Sequence, residues 1–361
     1  MAVDPLPAGV PHAVVHTTVG TARPMSPNQR AWQRFKRNRF GYWSLWIFAA
    51  MLVVSALAEV LSNDRPLVAS YRGELYFPIF SNPPEVALGG DFRTATDWTD
   101  PLIVAHFAEP GNWMIRPPNP HSATSVAYYQ KEPNPAPPSA RNWLGTDASG
   151  RDIVARLLYG FRVSILFAFA LTGIGVVLGL FAGAIQGYFA GRVDLTLQRL
   201  IEIWTSIPEL YLLIIFASIF QPSIGLLLVL LSLFGWVGLA DYTRAEFLRN
   251  RSLEFVKAAR ALGLSNRQII WRHVLPNSLT PMITFLPFRM SAAVLSLVAL
   301  DFLGLGVPPS VPSLGDLVRQ GKANLDAWWI IFPTFALLVV TMLLLTFIGD
   351  ALRDAFDTRK S

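Results

Sequence analysis

Cysteine is absent from the 361 residues. That excludes disulfides, thiolate-bound zinc and thiol chemistry, and leaves the compartment to be read from other patterns. Charge is scarce as well: 15% of residues are charged and 52% hydrophobic, against roughly 25% charged in soluble domains. With a mean hydropathy of +0.40, most of this surface must face something other than water. No G-x-x-x-x-G-K-S/T phosphate loop occurs, so ATP binding of that kind is not expected of this chain. His12, His16, His106, His121 and His273 form no H-E-x-x-H pair, and no G-x-S-x-G elbow appears. The expectation is a protein without catalytic residues, cofactor or metal of its own. The formal net charge of +6 is not arranged for nucleic acid. Arg and Lys sit at the ends of apolar segments, and no basic stripe with interleaved aromatics is present.

What is there instead is a series of long apolar runs. Residues 1–27, rich in Pro, Ala and Val, read as a flexible cytoplasmic tail. Residues 28–39 carry Arg30, Arg34, Lys36, Arg37 and Arg39 around Trp32 and Phe35, the pattern of a basic helix lying on a membrane surface. Spans are expected at 40–61, 163–189, 200–220 (kinked at Pro208), 224–241, 281–305 and 328–349. The first is too long for a cleaved signal core and reads as an anchor. The basic cluster before it, with Arg353, Arg359 and Lys360 after the last, places both termini in the cytoplasm. The fold class expected is therefore an all-α membrane protein of six transmembrane helices.

Two stretches interrupt the apolar pattern outside the membrane. Residues 62–160, between the first and second spans, are dense in Pro and aromatics, with a candidate hairpin at 70–80 and an amphipathic helix at 151–159. They form either a small ordered cap or an irregular loop. Residues 306–327 make a second outer loop. Within the core, 161–361, Gly175, Gly179, Gly183 and Gly187 recur every fourth residue, so one helix face admits a close neighbour. That face serves either plain packing or a moving interface. Glu209, Arg289 and Asp301 fall within apolar spans, where ionisable groups line a pathway or form a structural pair.

The longest cytoplasmic excursion is 242–280. Residues 253–262 alternate as an amphipathic helix, with Phe255, Val256, Ala258, Ala259 and Leu262 on one side and Glu254, Lys257 and Arg260 on the other. Gly263 suits a left-handed stop. Ser265 and Gln268 form a capping box that opens a second helix, expected to end at Pro276. Such an element either docks on a soluble partner or rests on lipid.

Ala258-Ala259, Gly263 and Leu275-Pro276-Asn277 resemble the EAA loop of permeases from ATP-binding-cassette importers. Lys257 stands where the common pattern has Glu, and His273 where it has Ile. With Glu254-Phe255-Val256, both features are similar to the dipeptide and oligopeptide branch. Asn142-Trp143-Leu144-Gly145-Thr146-Asp147, Gly150-Arg151-Asp152 and Asp301-Phe302-Leu303-Gly304-Leu305-Gly306 match segments of the same branch, notably of permeases serving importers of microcin C and oligopeptides. The resemblance implies the type I importer permease fold, with a long periplasmic insertion after the first helix, in the bacterial inner membrane. It also implies a second permease subunit, two ATP-binding-cassette ATPase subunits or domains that hold the ATP and magnesium, a periplasmic peptide-binding protein and a peptide substrate. Contact with the ATPase is implied for Glu254, Ala258, Ala259, Arg260, Gly263, Leu275 and Pro276. A secondary transporter would also account for six spans, yet it leaves the helix–glycine–helix element without a purpose.

Overall fold

The structure is a computed structural model that describes residues 26–128 and 132–356. The expected tail at 1–25 and the basic residues Arg359 and Lys360 lie outside the described residues. Helix α1 (Pro27–Arg37) starts at a reciprocal capping box between Ser26 and Gln29, with proline in its first turn. Its apolar side is committed: Phe35 is buried against Ala351 and Ala355. Trp32 stays out, stacked on Phe35 and under the Lys36 ammonium. The helix expected to lie on lipid is thus pinned to the bundle, because one of its two aromatics finds an alanine groove.

Helix α2 (Arg39–Ala56) and the one-turn α3 (Ala58–Leu61) form the first crossing. The insertion that follows is ordered. Strand β1 (Val68–Tyr71) pairs antiparallel with β2 (Glu74–Tyr76). They meet through a two-residue turn with φ of +51° at Arg72 and +86° at Gly73, the conformation a tight hairpin requires. Helix α4 (Pro101–His106) and strand β3 (Trp113–Ile115) complete a three-stranded sheet of order β2-β1-β3. Ala69, Tyr71, Leu88, Trp98, Ile103 and Phe107 form its separate small core. Three of the insertion's aromatics, Tyr71, Trp98 and Phe107, are therefore a cap core, and the helical membrane bundle carries a small sheet.

Helix α5 (Ile153–Phe189) has 37 residues, about 55 Å at 1.5 Å per residue, well beyond the roughly 30 Å hydrocarbon core. The separate amphipathic helix expected at 151–159 is its first two turns. Nothing between Tyr159 and Val163 breaks the helix; Gly160 instead admits Leu314. Helices α6 (Gly191–Thr205) and α7 (Glu209–Ile219) are bent by 57°. Pro208 is extended, at ψ 115°, so the expected kink is a full break in the span. Helices α8 (Ile224–Gly235) and α9 (Val237–Asn250) run on as one apolar crossing. It continues past the expected end at 241, because the Arg244 guanidinium is neutralised by Asp194 at 2.5 and 2.7 Å.

Next come α10 (Glu254–Ala261), α11 (Asn266–Ile269), a π-helical turn (Ile270–Val274) and α12 (Leu275–Ile283). The helix expected to stop at Pro276 continues through it. In the π turn the Leu275 N–H reaches back to the Ile270 carbonyl. This widened turn sits where a proline ring would otherwise meet the preceding turn. A second bend of 57° separates α12 from α13 (Leu286–Phe302). The second outer loop holds α14 (Leu314–Ala323), and α15 (Trp328–Phe356) closes the fold. Among the described residues four helices are long and apolar enough to cross a membrane, and six crossings result when each bent pair is one span.

Candidate functional site: the α10–α12 bracket

Helices α10 to α12 form a bracket beyond the last turns of α5 and α9. Gly263 takes φ +80°, the left-handed conformation that ends α10, and Ser265 and Gln268 cap α11 reciprocally. The helical period divides the alanines and their neighbours. Val256 and Ala259 point inward, buried with Tyr188, Phe247, Ile269 and Val274, and Leu275 packs partly buried on this cluster. Phe255, Ala258 and Leu262 point outward, Leu262 being 80% exposed, and Trp271 on the next helix is 64% exposed. The single apolar face expected from the sequence is thus two faces. Ala259 belongs to the inner one and holds the bracket to the bundle; Ala258 belongs to the outer one. Glu254, Arg260, Gly263 and Pro276 are exposed, Glu254 in an ion pair with Lys257 at 2.8 Å.

Polar tethers make the bracket one body with the bundle. The Tyr188 hydroxyl donates to Asn266 Oδ1 at 2.8 Å, and Arg251 donates to the Tyr188 carbonyl at 2.9 Å. Asn250 Nδ2 donates to Ser278 Oγ, which donates to the Val274 carbonyl. Behind these, the four glycines of α5 face α9. A Cβ on Gly187 would stand 2.5 Å from Phe247 Cβ, one on Gly179 2.6 Å from Leu239 Cβ, and one on Gly183 would collide with the Ala240 carbonyl. At Gly175 the fit is looser, 3.4 Å from the Gly235 carbonyl. Helices in such contact leave no room for a side chain between them, so α5 and α9 pack backbone to backbone beneath the bracket.

The three charges within the spans have different surroundings. Arg289 donates to the Gly235 carbonyl at the α8–α9 junction, and its Nε has no hydrogen-bond partner among the described residues. Asp301 is buried and accepts from the Val307 N–H at 2.8 Å and from the Ser313 hydroxyl, fixing the loop that leads into α14. Glu209 opens α7 directly after the Pro208 break, partly exposed, with no hydrogen bond or ion pair among the described residues. The structure does not bring the three together in one cluster.

At the insertion end lies a hub that sequence reasoning missed. Arg156 is fully buried, 3.4 Å from Asp147 and 3.2 Å from Asp316. Arg151 pairs with Asp147 at 2.8 Å. Gln320 donates to Asp316 and accepts from the Ala148 N–H. Asp152 caps α5 and accepts from Asn119 and Asn142, each at 2.9 Å. The available signal was the pair Arg151 and Arg156 on a helix whose other residues are mostly apolar.

Residues 175–361 match the family described as binding-protein-dependent transport system inner membrane component. The glycine seam and the whole bracket lie inside that match. The chain belongs to this family. Residues 26–81 match the N-terminal transmembrane domain of oligopeptide transport permease C, which places the permease in the peptide branch. It is 46% identical over 93% of its length, and 99% of the relative's, to the inner membrane ABC transporter permease protein YejE of Escherichia coli. Identity is 45%, over 97% and 98%, with the peptidoglycan transport system permease protein YejE of Agrobacterium fabrum. It is 31%, over 92% and 91%, with the dipeptide transport system permease protein DppC of Lactococcus lactis. The chain is accordingly a multi-pass inner-membrane permease subunit with the type I importer fold, and its family works with ATPase and substrate-binding partners. Residues 82–174 fall outside both family matches; they hold Asp147, Arg151 and Arg156 of the hub and much of the cap, while β1, β2, Asp316 and Gln320 lie within the matches.

Proposed function

We propose that this permease moves oligopeptides from periplasm to cytoplasm by alternating access, powered by ATPases that grip the outward face of α10. Phe255, Ala258 and Leu262, with Trp271 beside them, are the gripping surface, and Arg260 and Lys257 rim it. Closure of the ATPases on ATP and magnesium pushes the bracket as a rigid lever. The push passes along the α5–α9 seam and switches the pathway formed with a second permease subunit. Glu209 and Arg289 are its candidate wall charges. Both termini lie in the cytoplasm, and the insertion faces the periplasm, where a peptide-binding protein delivers the cargo. Peptide–nucleotide antibiotics such as microcin C fit the same reading, as do the peptidoglycan and dipeptide systems after which two relatives are named.

One observation carries this reading: the apolar face of α10 is divided, with Val256 and Ala259 fastened inward and Leu262 left 80% exposed. With Phe255 and Trp271 also exposed, Leu262 belongs to an apolar patch rather than standing singly, and a contiguous exposed patch suits a partner. Because the chain has no cysteine, single cysteines give clean crosslinks. Ala258→Cys should crosslink to the ATPase in the assembled complex, and Ala259→Cys should not. An Ala258→Cys and a Leu262→Cys that both fail to capture any ATPase would remove the proposal's basis.

A further inference from the structure

Between the insertion's small sheet domain and the segment leading into α5 lies a cleft of about 1490 Å³. Ligand pockets of roughly 300–1,000 Å³ already hold a drug-sized molecule, so this one is wide enough for a short peptide. Arg116 is in its wall, partly buried. The guanidinium donates to the Trp98 carbonyl at 2.9 Å and lies 3.3 Å from the Met114 sulfur, and no carboxylate pairs with it among the described residues. Burial without a counter-charge lowers its pKa below the ordinary arginine value. Arg65 also lines the cleft, and its side chain makes no hydrogen bond or ion pair among the described residues.

The acids of the same cleft are already engaged by their own chain. Asp97 accepts from the Thr99 N–H and hydroxyl, Asp100 caps α4, and Asp64 accepts from Ser122. A half-buried cation with no carboxylate beside it in a walled cleft is an unfilled demand for an anion. Exposed aromatic surface stands beside it: Trp143 is 54% and Tyr128 89% exposed, and both line the cleft.

We infer that this cleft binds short peptides by their free terminal carboxylate, with Arg116 and Arg65 as the carboxylate clamp and Trp143 and Tyr128 against the peptide's side chains. The inference rests on the reading of the chain as a peptide permease and assigns that cargo a holding site on the insertion, before the membrane. Free acids are preferred over amides. Blocking the amino terminus matters little, because the cleft's carboxylates are taken.

The test uses the full importer complex in lipid nanodiscs without its soluble binding protein. The probe is Ala-Phe-Ala, compared with its C-terminal amide and its N-acetyl form, and binding is read by tryptophan fluorescence. The free acid and the N-acetyl form should bind alike, and the amide about tenfold more weakly, as the loss of one charge-assisted contact gives. Arg116→Gln should weaken the free acid to the level of the amide and leave the amide unchanged. Val104→Trp, which fills the cleft wall, should abolish binding of all three and serves if Arg116→Gln does not assemble. Equal binding of acid and amide overturns the inference. So does an Arg116→Gln effect confined to capture of the binding protein. ATP-driven peptide uptake in proteoliposomes supplied with the binding protein, by a complex that shows no such binding in nanodiscs, overturns it too, while leaving peptide import standing. Cleft binding as described in a complex that imports no peptide supports the inference and counts against import.

Discussion

The two ends of α5 are held in opposite ways. At the insertion end, Arg156 is sealed between Asp147 and Asp316, and Asp152 is saturated by two asparagines and its own helix. At the bracket end an apolar cluster around Tyr188 and Phe247 carries the contact, tethered by hydrogen bonds from Tyr188 to Asn266 and from Arg251 to the Tyr188 carbonyl, and one side of α10 is left bare. Buried charge holds geometry because removing either partner strands the other in a medium that solvates it poorly. Apolar contacts hold position while leaving surface available. The insertion end is locked by buried charge; the bracket end keeps a bare surface, the one that the proposed lever would use.

Arg156→Met should break that comparison most severely. It removes the fully buried cation between Asp147 and Asp316, leaving Arg151 alone to reach both, and should cost about 3 kcal/mol of stability, the low end for a broken buried pair. The midpoint of thermal unfolding in detergent reads this. A drop equivalent to less than about 1 kcal/mol would mean that the hub is not what fixes the insertion end.

Next in size is Gly183→Ala, in the seam joining the two ends. Its methyl would meet the Ala240 carbonyl, which is backbone and cannot rotate away, so a loss of about 1–3 kcal/mol is expected. Gly173→Ala, on the same helix with nothing within 4 Å, is the control and should be neutral or slightly stabilising. Equal effects at the two positions would count against a close α5–α9 contact.

Gly263→Val should follow at about 1–2 kcal/mol. Nothing lies within 4 Å of a Cβ there, so the penalty is that of a left-handed φ alone. With the bracket strained, the partner ATPases of the reconstituted importer should also hydrolyse ATP without matching uptake; unchanged uptake per ATP would speak against the lever.

Leu262→Asp should be smallest in stability and sharpest for the comparison. An exposed position tolerates the change within about 0.5 kcal/mol, yet uptake should fall about tenfold or more, as for a lost interface anchor. Normal uptake would mean that the bare face has no partner.

The legible parts of the sequence were those governed by local rules. The capping box at Ser265 and Gln268, the glycine stop at 263 and the glycine step along 175–187 each depend on a few neighbouring residues, and they form as expected. Helix junctions were harder to read. Pro208 breaks a span and Pro276 does not, although both are prolines in helical surroundings. The difference is the π turn at 270–274, which is set by how α11 and α12 pack on Phe247 and Tyr188.

The sequence by itself determined the membrane character, the number of crossings and the family, because apolar run length and short motifs are properties of contiguous residues. Only the tertiary structure decided which alanine of the bracket faces out and which charges are paired across 160 positions, as Arg156 and Asp316 are. It also decided that Arg116 lines a cleft without a counter-ion. Those outcomes depend on which distant elements share a surface, and burial turns the same side chain from a solvated charge into a clamp, a lock or an open demand.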